Sequence, residues 1–251
     1  MLNDEELLRY SRQILLKQVD IAGQLRLKNS KVLIVGLGGL GSPVALYLAA
    51  AGVGELYLAD FDTLDVSNLQ RQIVHDTAAL GGLKVQSAQK RLQALNPHIA
   101  VHTSSEQLNA ENLPELLENV DLVLDCTDNF TIRSQLNAAC FAANTVLVSG
   151  AAIRGEGQVS VYDPHNAESP CYHCVFGDGA EEGLTCSEAG VLGPLVGLIG
   201  SLQALEAMKV LAGFGEPLIG RLLLIDALST RFRELKVRRD PQCVVCGVRH
   251  A

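Results

Sequence analysis

Short apolar runs alternate with amphipathic stretches through the first 150 residues of the chain. Runs at 31–36, 55–60, 99–104, 121–125 and 146–149 have the length and continuity of strands buried on both faces. Between them lie helical patterns at 42–51, 81–95, 111–118 and 132–144. Gly52 and Gly54 close the first of these, and Asn96 and Pro97 the second. Ahead of the first strand, Asp4 is placed to cap a helix with Glu5 and Glu6 in its first turn. Leu7, Leu8, Tyr10, Ile14 and Leu15 recur there at helical spacing. Strand–helix alternation of this kind predicts a Rossmann-like, doubly wound, mostly parallel sheet.

After about Gly150 the pattern changes. Residues 157–162 alternate as an antiparallel strand does, 170–190 are rich in Gly, Glu and Cys and read as a loop, and 194–212 form a long apolar helix. Residues 221–226 and 231–238 read as a final hairpin. These strands are expected to extend the first sheet, giving one domain over 1–251.

Gly36, Gly38, Gly39 and Gly41 form G-x-G-x-x-G between the first strand and a helix opened by Ser42 and Pro43. Such a loop brings backbone N–H groups and the positive end of a helix against a phosphate. Asp60, at the end of the second strand, is placed to bind ribose hydroxyls. The loop alone fits dehydrogenases, methyltransferases and adenylating enzymes. Asp62, Ser67, Asn68, Arg71 and Lys84 follow it. A triphosphate under nucleophilic attack needs more cationic charge than a dinucleotide does, and Arg71 and Lys84 supply it unless both are surface residues. Asp125 and Asp128 lie at the carboxyl end of a central strand, where open α/β sheets bind ligands. One of these acids can hold Mg²⁺ while the other supports it or caps the next helix. We assign the metal to Asp128 and support to Asp125.

Cys171 with Cys174 and Cys243 with Cys246 make two C-x-x-C pairs, the ligand set of a closed Cys₄ zinc site if the pairs meet in space. Cys126 and Cys140 have apolar neighbours and read as core residues, whereas Cys186 falls in the loop before the long helix. It is either a nucleophile that forms a thioester or persulfide, or incidental.

The net charge of −8 argues against nucleic acid or anionic membrane as partners. Arg231, Arg233, Lys236, Arg238 and Arg239 are a local exception and read as a solvated face or a charged strand edge. The N-terminus has no signal-peptide pattern, and Ser201, Gln203, Glu206 and Lys209 interrupt the apolar stretch 191–212. A cytoplasmic protein without structural disulfides is expected.

Taken together, residues 9–16, the glycine loop, Asp60 with Asp62, the 67–72 segment, Asp125 through Asn129 and both cysteine pairs resemble the MoeB/ThiF family of adenylyltransferases, relatives of ubiquitin-activating enzymes. The resemblance implies an ATP site formed by Gly39, Asp60, Asn68, Arg71, Lys84, Asp128 and Asn129. It implies Arg12 reaching the triphosphate of the neighbouring subunit in a homodimer. It also implies zinc on Cys171, Cys174, Cys243 and Cys246, with nucleotide bound by residues 1–150 and carrier by 151–251. The reaction implied is ATP-dependent adenylation of the C-terminal Gly-Gly carboxylate of a ubiquitin-fold sulfur carrier. Segments 148–158 and 184–190 look closer to the molybdenum-cofactor branch than to the thiamine branch. The chain stops at Ala251 without the rhodanese domain of longer relatives, so a separate sulfurtransferase is expected to supply sulfur. An NAD-dependent dehydrogenase and a non-catalytic carrier-binding scaffold are the readings from other classes.

Overall fold

The computed structural model describes residues 1–177 and 190–247. Its eight strands are β1 (Lys31–Val35), β2 (Glu55–Ala59), β3 (Ala100–Ser104), β4 (Leu122–Asp125), β5 (Val146–Ile153), β6 (Glu156–Tyr162), β7 (Arg221–Asp226) and β8 (Arg231–Lys236). They form one sheet in the order β3-β2-β1-β4-β5-β6-β7-β8. Pairing is parallel from β3 to β5 and antiparallel from β5 to β8. The expected hairpin is thus β7–β8, and the second half continues the first sheet.

The helices are α1 (Asp4–Arg9), α2 (Ser11–Ile14), α3 (Asp20–Asn29), α4 (Gly41–Ala51), α5 (Lys84–Leu95), α6 (Leu113–Leu117), α7 (Phe130–Ala143), α8 (Tyr172–Phe176) and α9 (Gly193–Ala212). β1 shows why its run is apolar throughout. Val32 and Ile34 pack with α4, α5 and α9 on one face, and Leu33 and Val35 with α6 and α7 on the other. Full burial of each such side chain stabilises by about 1.5–3 kcal/mol, so polar residues are not tolerated there.

α9 is long and apolar enough to cross a membrane by composition, yet half of its apolar window is buried inside the fold. It packs on α3, α4, β5 and β6. Two of its polar residues, Gln203 and Glu206, face inward and are satisfied there. Gln203 Nε2 donates to the Asp125 carbonyl at 2.7 Å, and Glu206 Oε2 accepts from Leu218 N–H at 2.7 Å.

Several boundaries differ from the sequence pattern. Asn3, not Asp4, caps α1, through a reciprocal bond pair with Glu6. The N-terminal pattern does not mark one helix. It breaks at Tyr10, which is buried and bonded to Asn96, while Leu7, Leu8 and Leu15 are exposed. α5 starts at Lys84 rather than 81, because Gly81 and Gly82 form a turn against Leu64. β5 runs four residues past its expected end, since β6 folds back on it. The 170–190 stretch contains α8, and Cys186 lies outside the described residues.

Candidate functional site

A cleft of about 790 Å³ opens at the carboxyl ends of β1, β2 and β4. Gly36, Gly38, Gly39, Asp60, Asp62, Asn68, Arg71, Lys84, Asp128 and Asn129 all line it. Gly41, Ser67 and Arg12 do not. Gly41 instead lets α4 approach the loop, because a Cβ there would run into the Gly36 carbonyl. Gly36 itself has φ +88°, a left-handed conformation that favours glycine, with the Cys126 carbonyl against it. Gly41→Ala is therefore expected to lower stability by about 1–3 kcal/mol and weaken nucleotide binding. Thermal melting and nucleotide titration check this, and wild-type values for both would contradict it.

The loop's Leu37 peptide is held from both sides. Asp60 Oδ2 accepts from Leu37 N–H at 2.7 Å, and His75 Nε2 lies 3.1 Å from the Leu37 carbonyl. The His75 Nδ1 is 3.0 Å from Ser87 Oγ, so the tautomer with hydrogen on Nε2 satisfies both contacts. Burial depresses the His75 pKa below its ordinary value, and the ring is neutral at physiological pH. The same cause raises Asp60 above the usual carboxylate range, against the pull of Lys84. Among the described residues the N–H groups of Gly38, Gly39 and Leu40 have no backbone acceptor. α4 begins there without a side-chain cap, leaving the anion-binding end of the helix open.

Both cations face the cleft, so neither is simply a surface residue. Lys84 is buried and its Nζ lies 2.7 Å from Asp62 Oδ2. Arg71 is half-buried and donates to the Ser67 carbonyl at 3.1 Å. Asn68 accepts from Asp65 N–H and steadies the turn that carries Arg71.

Asp125 and Asp128 divide as their neighbours dictate. Asp125 is buried, and its carboxylate accepts from Thr127 N–H, the Thr127 hydroxyl at 2.7 Å and the Ser149 hydroxyl at 2.8 Å. Asp128 is exposed to the cleft and makes no hydrogen bond among the described residues. Neither acid caps α7. Asn129 does, accepting from Thr131 and Ile132 N–H. Cys126 and Cys140 are core residues, and burial raises both thiols well above their ordinary values.

A second groove of about 360 Å³ runs over β5, β6, β7 and β8 and meets the cleft. Asp128, Arg133 and Ala152 line both cavities. Its far end carries Glu156, Asp226 and Arg233. β8 is the exposed edge of the sheet, as the basic run implies. The side chains of His75, Arg133 and Gln203 were not legible as site residues. Each acts on a partner 6 to 78 positions away that only the fold brings near.

Away from the cleft, the four cysteines converge. Their sulfurs lie within 4.8 Å of one another, with separations of 3.8 Å for Cys171–Cys174, 3.6 Å for Cys171–Cys243 and 3.3 Å for Cys174–Cys246. A tetrahedral ion with 2.3 Å metal–sulfur bonds sets its sulfurs about 3.8 Å apart, so the cluster can hold a metal ion. Asp240 N–H donates to Cys174 Sγ at 3.4 Å, a contact that suits a thiolate ligand, and Arg239 donates to the Cys246 carbonyl and holds the second pair's backbone.

The chain is 54% identical over 246 residues to a molybdopterin-synthase adenylyltransferase of Escherichia coli K12, covering 98% of each. It is 48% identical to the sulfur carrier protein ThiS adenylyltransferase of the same strain, covering 98% of this chain and 97% of that one. A crystal structure of E. coli MccB with MccA-N7isoASN matches with TM-score 0.86 at 25% identity, over 98% of this chain and 76% of that one. The ThiF family matches residues 10–245. That span takes in every residue lining the cleft and the meeting groove, and on it the chain belongs to the ThiF family.

Proposed function

We propose that the chain adenylates the C-terminal carboxylate of a small ubiquitin-fold sulfur carrier, the small subunit of molybdopterin synthase. The observation that carries this is the meeting of two cavities at Asp128. One is a phosphate cradle with Arg71 and Lys84, and the other is a groove open to the exposed sheet edge. An extended chain advances at most about 3.6 Å per residue, so a Gly-Gly end reaches inward from the groove without bulky side chains. Identity to the molybdopterin-synthase enzyme exceeds that to the ThiS enzyme, which favours the former carrier.

In this reading a carboxylate oxygen of the tail attacks the α-phosphorus of ATP. The bond from that phosphorus to the bridging oxygen breaks, and pyrophosphate leaves with the electron pair. Gly39 and the α4 N-terminus cradle phosphate, Asp60 and Asn68 face the ribose side, and Arg71 and Lys84 absorb growing negative charge. Lys84 must exchange its Asp62 partner for phosphate to do so. Asp128, with an uncommitted carboxylate, would hold Mg²⁺, whose charge offsets that of the phosphates. Zinc on the four cysteines would be structural, because the cluster is closed and leaves no position for substrate. Residues 1–150 bind nucleotide and 151–251 supply the carrier surface. Cys186 takes no part in adenylation in this reading, and sulfur is brought afterwards by a separate sulfurtransferase.

Arg12 is exposed and outside its own cleft, and Leu8, Leu15 and Leu16 around it are exposed as well. These support a homodimer in which Arg12 serves the partner's site. Mixing Arg12→Ala with Asp128→Ala chains is then expected to restore about a quarter of wild-type activity, because half of the random dimers carry one intact site. An inert mixture after subunit exchange would contradict the shared site. ATP–pyrophosphate exchange with candidate carriers tests the function itself. Nicotinamide binding without exchange would overturn it.

A further inference from the structure

Thr127, the residue before Asp128, is clamped as Leu37 is. Asp125 accepts from its N–H and hydroxyl, and the Arg133 Nη2 donates to its carbonyl. Arg133 sits in the first turn of α7, with Nε 3.6 Å from Asp125 Oδ2, and Tyr172 lines the same groove. The buried Nε has no hydrogen-bond partner among the described residues. Burial works to lower the Arg133 pKa, but Asp125, Tyr172 and Asp128 outweigh it, and the group stays charged.

Tyr172 is itself rigidly placed. Its N–H donates to Asn137 Oδ1 at 2.9 Å, and its ring packs against Phe130, Tyr162 and Phe176. It opens α8, the short helix that Cys171 caps and that includes Cys174. Phe130, Arg133 and Tyr172 line the groove where it meets the turn that carries Asp128. The glycine loop, Arg71 and Lys84 lie on other elements.

We propose that Arg133 is a positioning residue that fixes the Thr127–Asp128 turn where the two cavities meet, and so sets how the tail carboxylate approaches the nucleotide. The inference rests on the adenylation reading. A misplacement of about 1 Å at a reacting centre can cost about a hundredfold in rate without loss of binding.

Arg133→Lys keeps the charge but cannot fork to Thr127 and Asp125 together. It is expected to lower kcat for carrier-dependent exchange about a hundredfold, with KM for ATP within about twofold. Thr127→Val removes the hydroxyl that Asp125 accepts and keeps the side chain's volume, and is expected to lower kcat about tenfold with the melting temperature within about 4 °C. The double variant should be slower than Arg133→Lys alone by less than that tenfold, because both changes loosen one turn. Full kcat in Arg133→Lys, or a double loss equal to the product of the single ones, overturns the inference. If Arg133→Lys does not fold, Thr127→Val decides alone. Wild-type chain without carrier-dependent exchange would instead overturn the adenylation reading.

Discussion

Asp128→Ala and Arg71→Ala are each expected to cut carrier-dependent ATP–pyrophosphate exchange by at least about a hundredfold, the usual cost of removing a preorganised charge partner from a transition state. The fold should not notice. Asp128 is exposed and carries no hydrogen bond among the described residues. Arg71 is half-buried and contributes one bond to a carbonyl. Neither change opens a cavity or strands a buried charge, so melting temperature should stay within about 2 °C. Asp125→Ala is the informative contrast. It removes the acceptor of Thr127 and Ser149 and leaves Arg133 without its nearest counter-charge, so melting and exchange should fall together. Exchange near the wild-type rate in Asp128→Ala would remove the metal-holding role. A fall in melting temperature to match that of Asp125→Ala would contradict the division between the two acids.

The second large effect lies at the cysteines. Residues 240–247 have no regular secondary structure and meet the rest of the fold chiefly through Cys243 and Cys246. Here a bound ion would do what core packing does elsewhere, by closing a loop of 72 positions between Cys171 and Cys243. Loss of one ligand should cost several kcal/mol, so Cys246→Ser is expected to lower the melting temperature by about 10 °C, and a strong chelator should do the same to the wild-type chain. Metal analysis should find about one zinc per chain in the wild-type protein. An unchanged melting temperature in Cys246→Ser with no bound zinc would contradict a metal-closed cluster.

Much of this arrangement is visible in the residue pattern. Strands covered on both faces must be apolar throughout, so β1, β2 and β4 stand out within a residue or so of their true ends. The glycine loop is legible because its backbone conformation excludes side chains at Gly36 and Gly41. Boundaries fail where two neighbours offer the same chemistry. Asn3 and Asp4 both can cap a helix, and only the reply from Glu6 selects Asn3. Periodicity fails in α9, where apolar residues surround the helix and Gln203 and Glu206 turn inward to bond the backbone of β4 and of the segment before β7. His75 and Arg133 were illegible for a related reason. Their importance lies in which carbonyl they hold: Leu37 comes within reach of His75 only once the sheet has formed, and Thr127 within reach of Arg133 only once the turn into α7 has closed.

The most direct measurement of the central claim follows one oxygen atom. A carrier labelled with oxygen-18 in its C-terminal carboxylate is incubated with ATP, Mg²⁺ and this chain, and the product is discharged with hydroxylamine. If the tail oxygen attacks the α-phosphorus, one labelled oxygen remains on AMP when the acyl bond breaks, and the account predicts that outcome. AMP free of label, or label recovered in inorganic phosphate, would contradict it.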